Sequence, residues 1–156
     1  MSGDLLNPRF EGTSFVVETD DRIKIYDAQF LVAALCVYVA ESDGTISEEE
    51  TEEMLSQVGS HFHLESAESL SLLTHAMSEI AENPNLTRIL KKLATSLSPE
   101  EKEEIALMLL KVVAADGRKK AEEMEALAHA AEIIDIEPDV VHRAFDRYFT
   151  DTQIGQ

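Results

Sequence analysis

The chain has 156 residues, with 31 acidic and 13 basic side chains and a formal net charge of −18. This charge repels phosphate backbones and anionic lipids, and the longest apolar run, 30–40, is shorter than the roughly 20 residues that span a membrane, so we expect no nucleic-acid partner and no membrane insertion. The length suits one domain, and the single cysteine, Cys36, cannot form an intrachain disulfide, so we expect a cytoplasmic protein.

The first 26 residues lack a helical period and are predicted to form an N-terminal extension. The alternation of apolar and polar residues in "SFVVETDDRIKIY" predicts a short hairpin with strands at 15–18 and 23–26. A single helical domain is expected over 27–150, followed by a short tail over 151–156.

From Asp27 onward, the apolar residues recur with the period of an α-helix, and capping signals divide the chain into seven helices. Ser47 and Ser98, each followed by glutamate three residues later, form capping boxes that begin the second and fifth helices. Short polar connections favour antiparallel neighbours, so the predicted fold class is an all-α bundle of roughly seven helices. After a first helix that begins at Asp27, the predicted spans are about 48–61, 66–82, 84–93, 99–115, 120–134 and 138–148.

Apolar residues at three- and four-residue spacing give the third helix a predicted apolar face. These residues are Leu70, Leu73, Met77 and Ile80. At the end of this helix, in "ENPN", Asn83 is predicted to cap the fourth helix, with Pro84 at its first helical position.

An internal repeat appears when the chain is aligned with itself at an offset of 73 residues. Each copy consists of an apolar helix, an Asp-Gly pair and an acidic helix start. The pairs begin at Asp43 and Asp116, and Glu50 aligns with Glu123. The repeat predicts two helical units packed about a pseudo-two-fold axis. The alternative is that acidic helices joined by Asp-Gly turns resemble one another by chance.

Each Asp-Gly pair combines a carboxylate at a helix end with a glycine suited to reversing the chain. Gly44 and Gly117 can adopt a positive φ at the C′ position, which requires no further function. A carboxylate in the last helical turn faces the negative end of the helix dipole and costs about 0.3–1 kcal/mol. Because an aspartate occupies this position in both copies, we expect a group that offsets the unfavourable interaction with the dipole. The candidates are a bound cation, a basic side chain or backbone amides of the turn.

A glutamate seven residues after each aspartate favours a cation site. For Glu50 the capping box with Ser47 is a sufficient explanation, but the second copy has Lys120 in place of the serine and still keeps Glu123. Neither loop completes an EF-hand, because the first ligand position holds valine, which is Val39 in the first copy. A site shared by both copies would have enough carboxylates for calcium or magnesium. Its predicted ligands are Asp43, Glu50, Asp116 and Glu123.

Two apolar helices end in "A-x-x-D-G" or "A-D-G", and a glutamate follows seven residues after each aspartate. In this pattern the chain resembles the tellurite-resistance TerB-like family of bacterial proteins over about 27–148. The resemblance implies an all-helical bundle with internal pseudo-two-fold symmetry that binds divalent metal at its two acidic junctions. It also implies a stress-associated, metal-responsive or scaffold protein. The positions that match are Asp43, Glu50, Asp116 and Glu123. The chain departs from the pattern at "RKK" after Gly117, where positive charges would weaken metal binding.

The sequence contains no zinc pattern, glycine-rich phosphate loop or nucleophile elbow, so we expect a protein that is not an enzyme. The leading hypothesis is a module that binds a divalent cation and acts through contacts with a protein partner. A homodimer is an alternative that the sequence leaves open. The alternative is a metal-independent scaffold whose acidic face docks a basic partner. A third hypothesis, a metal-dependent hydrolase, would use the same carboxylates.

Overall fold

The computed structural model describes residues 6–11, 14–18, 23–42, 44–115 and 121–154. Within these ranges, a small sheet precedes seven helices, which confirms the predicted all-α bundle. The strands are β1 (Leu6–Glu11), β2 (Ser14–Glu18) and β3 (Ile23–Tyr26). The helices are α1 (Ala28–Ala40), α2 (Glu48–Phe62), α3 (Ser66–Glu82), α4 (Leu86–Ala94), α5 (Pro99–Ala114), α6 (Ala121–Ile133) and α7 (Pro138–Ile154).

The three strands form an antiparallel sheet in the order β1-β2-β3. The predicted hairpin is confirmed, because β2 pairs with β3 in a register that places Phe15 opposite Tyr26. Strand β1 was not predicted, since Pro8 interrupts its apolar pattern and cannot donate to a ladder. Pro8 fits here because β1 lies at an edge of the sheet and its register shifts between Leu6 and Arg9.

Helix α1 lies at the centre of the bundle and contacts α2, α3, α4, α5 and α6. All residues over 30–37 are buried, which explains why this helix is apolar on every side. Its first turn is capped by Asp27, whose Oδ1 accepts a hydrogen bond from the backbone N of Phe30 at 3.0 Å. Cys36 is fully buried, and burial raises the pKa of its thiol to about 12, so the thiol stays protonated and unreactive.

The predicted apolar face of α3 was correct in part: Leu73 is buried and Ile80 packs against the core, but the other two residues of that face are not buried. Leu70 and Met77 are 55% and 44% exposed. Two polar residues, Ser69 and Glu79, are buried together with Leu73 and Ala76. Apolar spacing alone therefore identified only part of the buried face, since it cannot assign a polar residue to a buried position.

The two buried polar residues on α3 differ, because Glu79 is hydrogen-bonded whereas the Ser69 Oγ has no hydrogen-bond partner among the described residues. Ser69 lies where α2 comes close, since a Cβ built on Gly59 would lie 3.1 Å from the Ser69 Oγ. Glu79 is hydrogen-bonded: the hydroxyl of Tyr26 donates to its Oε1 at 2.6 Å, and the Nδ2 of Asn83 donates to the same oxygen at 3.0 Å. The hydrogen bonds of Glu79 join the end of β3 to the end of α3 and so attach the sheet to the helices.

Two helix boundaries differ from the prediction. Asn83 does not cap α4; it ends α3, and its Oδ1 accepts a hydrogen bond from the backbone N of Asn85 at 2.8 Å. Asn85 holds the N-cap position of α4, so Pro84 lies in the turn before the helix. Helix α7 continues to Ile154 instead of ending near Tyr148.

Ion pairs join α7 to α5. The guanidinium Nε of Arg143 donates to Glu103 Oε1 at 2.7 Å, and Nη1 of Arg147 donates to Glu103 Oε2 at 2.9 Å and to Glu104 Oε1 at 2.6 Å. These hydrogen bonds lower the pKa of the Glu103 carboxyl. Among the described residues, no helix is long and apolar enough to cross a membrane.

Candidate metal site

The structure describes the side chain of one of the four predicted ligands, Glu50. Asp43 and Asp116 lie outside the described residues. Glu123 belongs to α6, but its side chain also lies outside the description. The predicted convergence of the four carboxylates stays a prediction, and the geometry of the site rests on the Glu50 carboxylate.

Glu50 lies in the first turn of α2, where the predicted capping box is confirmed. Its Oε1 accepts a hydrogen bond from the backbone N of Ser47 at 2.9 Å, and its backbone N donates to the Ser47 Oγ at 3.0 Å. The residue is 2% exposed, and its Oε2 has no hydrogen-bond partner among the described residues. One carboxylate oxygen is therefore used by the cap, and the other is buried without a hydrogen bond from any described residue.

The capping box at the start of α5 has the same hydrogen bonds but a different environment. The backbone N of Ser98 donates to Glu101 Oε1 at 3.0 Å, and the backbone N of Glu101 donates to the Ser98 Oγ at 3.1 Å. Glu101 is exposed. Because the same cap forms around an exposed glutamate, capping does not explain the burial of Glu50.

The turn between α1 and α2 differs in detail from the predicted one. Gly44 has a φ of 96°, so the expected left-handed residue is present. It is not at the C′ position, however, because α1 ends at Ala40 with Glu41 as its C-cap. The backbone N of Gly44 donates to the carbonyl of Glu41 at 2.9 Å, and the Ser42 Oγ donates to the carbonyl of Val39 at 2.8 Å. The turn is longer than a glycine-terminated helix end requires.

Glu41 is the acidic residue that the structure places at the C-terminus of α1. It is partly buried, and desolvation raises the pKa of its carboxyl. Glu41 is not among the four ligands that the sequence predicts. Its burial is a tertiary effect that no local pattern in the sequence indicates.

The sequence matches the protein family described as Tellurite resistance protein TerB over residues 29–146. The chain belongs to the TerB family. The match begins in α1, ends in α7 and contains both Asp-Gly pairs. Comparison with curated proteins and with solved structures gave no match.

The helices of the two predicted repeat units contact one another in this TerB-family bundle. Helix α1 packs against α5, and each of these two helices also contacts both α2 and α6. The helix pairs on either side of the two Asp-Gly pairs are therefore neighbours in space. The pseudo-two-fold relation between them stays a prediction.

In the part of this TerB-family chain whose side chains are described, no three histidine, cysteine, aspartate or glutamate side chains come together in a way that could hold a metal ion. Glu50 alone offers one free carboxylate oxygen, whereas calcium takes six to eight oxygen ligands. Its chemistry fits a hard cation, because an ionised carboxylate is a preferred ligand of calcium and magnesium. Further ligands would have to come from Asp43, Asp116 and Glu123.

Proposed function

We propose that this TerB-family protein is a non-enzymatic module that binds a divalent cation, calcium or magnesium, at its two Asp-Gly junctions. The ligands in this proposal are Asp43, Glu50, Asp116 and Glu123. The protein would act through contacts with other proteins in a stress or metal response. The observation that carries the proposal is the Glu50 Oε2, which is buried and has no hydrogen-bond partner among the described residues.

The buried oxygen of Glu50 needs a compensating interaction. A buried ionised carboxylate is costly unless it is paired, fully hydrogen-bonded or bound to a metal. Across the described residues, Glu50 makes no ion pair, and its cap satisfies only Oε1. A cation held between Glu50 and the other predicted ligands would satisfy Oε2 directly. This requirement is absent at Glu101, which solvent hydrates.

Electrostatics of the whole chain supports the same class of ligand. A net charge of −18 raises the local concentration of cations around the protein. Desolvated Glu41 adds a further acidic group at the end of α1, close in sequence to the proposed ligand Asp43. A bound cation would relieve the repulsion among these carboxylates.

Thermal unfolding with and without cation tests the proposal, using Glu50→Gln and the matched control Glu101→Gln. Glutamine can keep each capping box, so both substitutions remove one charge and leave the cap in place. A cation that binds the folded state at a hundredfold excess over Kd adds about 2.7 kcal/mol, which corresponds to a Tm rise of about 5–10 °C for a chain of this size.

We expect millimolar calcium or magnesium to raise the Tm of the parent protein and of Glu101→Gln relative to samples in chelator. The rise should be absent in Glu50→Gln. If the parent protein shows no rise with either cation, the proposal fails. An equal rise in Glu50→Gln would remove Glu50 from the site.

A second candidate function is a metal-independent scaffold whose acidic face docks a basic partner. It is favoured by the exposed glutamates Glu48, Glu49 and Glu52 near the start of α2, which form no ion pair with any described residue. Binding of a lysine-rich peptide measured in chelator distinguishes the two candidates. Binding that depends on these three glutamates and is unaffected by Glu50→Gln favours the scaffold.

A further inference from the structure

Helix α4 carries a basic surface on a strongly acidic chain. Arg88, Lys91 and Lys92 lie three and four residues apart, and all three are exposed. The other side of the helix is buried in the core through Ile89 and Leu93. We call the three basic residues the α4 basic surface.

The charges of the α4 basic surface are not neutralised by the described part of the chain. None of the three side chains makes an ion pair or a hydrogen bond with a described residue. Arg143 and Arg147 behave differently, because both bind Glu103. Arg88 repels the two lysines at helical spacing, whereas Lys91 and Lys92 lie in the last turn of α4, where the helix dipole favours positive charge. The α4 basic surface therefore offers positive charge that internal pairing does not use.

A cavity of about 190 Å³ adjoins this surface between α1, the end of α3, α4 and α6. Its walls are mainly apolar, with two aromatic rings, and they include Ala34, Tyr38, Ile80, Leu90, His129 and Ile133. The rings of Tyr38 and His129 lie 5.7 Å apart between their centroids. Thr87 lines both this cavity and the groove along Arg88, Lys91 and Lys92, so the cavity and the basic groove meet at Thr87.

We propose that the α4 basic surface and the adjoining cavity together dock a short acidic segment of a partner protein. Carboxylates of the segment pair with Arg88, Lys91 and Lys92, and one apolar side chain enters the cavity. Exposed ion pairs alone give weak binding, so the apolar anchor supplies the affinity while the charges supply orientation and selectivity. This site lies on α4 and is independent of the proposed cation site.

Charge complementarity favours a short acidic segment over two other anionic occupants. A nucleic acid is longer than the surface formed by the three basic residues. Its remaining phosphates would be repelled by a chain with a net charge of −18. A second copy of the chain carries the same net charge and is repelled as a whole. A short segment places its few carboxylates within about 8 Å of the basic residues, where salt screens the more distant acidic groups.

Fluorescence anisotropy with a labelled six-residue peptide, EDLEDE, tests the proposal on the full chain. We expect saturable binding that weakens when NaCl is raised. The variant Arg88→Gln/Lys91→Gln/Lys92→Gln should bind at least tenfold more weakly. The control Lys111→Gln, which removes a positive charge from α5, should change binding less than twofold. Glutamine is a good helix former, so the triple variant should keep α4 folded, and circular dichroism checks this.

The cavity is tested with the same probe and a second pair of variants. Thr87→Phe should fill the mouth of the cavity and weaken binding of EDLEDE at least fivefold, whereas Thr74→Phe, at an exposed position of α3, should leave it unchanged. Replacing the leucine of the peptide by alanine should weaken binding to the parent protein by a similar factor.

Several results would overturn the proposal. It fails if the parent protein does not bind EDLEDE, or if the triple glutamine variant binds it as the parent does. Tighter binding of a twelve-nucleotide single strand than of the peptide would assign the surface to nucleic acid. If the parent forms a dimer that the triple variant cannot form, the occupant is a second copy of the chain.

Discussion

The start of α2 and the start of α5 use the same residues for the same local purpose, yet their glutamates have different surroundings. Both begin with a serine and a glutamate three residues later, and both capping boxes have hydrogen bonds of 2.9–3.1 Å. Glu50 is 2% exposed, whereas Glu101 is exposed. The cap is set by local sequence, and the burial of the carboxylate is set by the helices packed around α2.

A second difference concerns what neutralises the carboxylates near each helix start. On α5, Glu103 and Glu104 are paired with arginines of α7. On α2, Glu50 has no basic partner among the described residues. Arginines of α7 thus neutralise carboxylates at the start of α5. At the start of α2, the buried carboxylate oxygen of Glu50 has no such partner among the described residues. This contrast is the main reason to assign a cation to α2.

The largest expected effect comes from reversing the charge at the two glutamates. Glu50→Lys would remove a cap and force a long cationic side chain into a buried position, so we expect a loss of about 3 kcal/mol or more in the free energy of unfolding. Glu101→Lys should cost about 1 kcal/mol or less, because its side chain remains in water. Urea unfolding measures both values, and equal losses would contradict the difference in burial.

Removing the serine of each cap should have an intermediate and equal effect. We expect Ser47→Ala and Ser98→Ala each to lower the free energy of unfolding by about 1 kcal/mol, since each loses one hydrogen bond to a backbone N at the helix start. Urea unfolding in chelator measures both values. A much larger loss for Ser47→Ala would mean that the serine supports the buried carboxylate as well as the cap.

The smallest expected effect is a pH dependence that belongs to α5. Because Arg143 and Arg147 lower the pKa of Glu103, the folded state binds fewer protons than the unfolded state, whose glutamates have a pKa of about 4.3. The resulting stability is present above that pH and is lost as pH falls through the lowered pKa. We expect Glu103→Gln to reduce the difference in urea midpoint between neutral and acidic pH. If the difference in urea midpoint is unchanged, the ion pairs of Glu103 do not contribute to the loss of stability at acidic pH.

Strong local signals in the sequence predicted their elements correctly. The two Ser-x-x-Glu boxes begin α2 and α5 as expected, and the alternation before residue 27 forms the β2-β3 hairpin. The TerB-like resemblance was also correct, because the family matches over 29–146. Each of these predictions depends on residues that act within a few positions of one another or on a pattern spread over the whole domain.

Predictions failed where a polar or irregular residue has a partner far away in sequence. Glu79 is buried on α3 because Tyr26, which is 53 residues away, donates a hydrogen bond to it. Leu70 and Met77 match the apolar spacing but are exposed. Asn83 closes the turn before α4 instead of capping that helix, since two asparagines two residues apart offer alternative caps and the sequence does not rank them.

The sequence by itself determined the helical class, most helix starts, the family and the acidic residues proposed to bind metal. Only the tertiary structure decided which glutamate in a capping box is buried, which side of α3 faces the core and which basic residues remain unpaired. The physical reason is the separation along the chain over which each interaction acts. Caps and helical periods depend on hydrogen bonds and spacing within one or two turns, whereas burial and ion pairing depend on side chains that come together only when the helices pack.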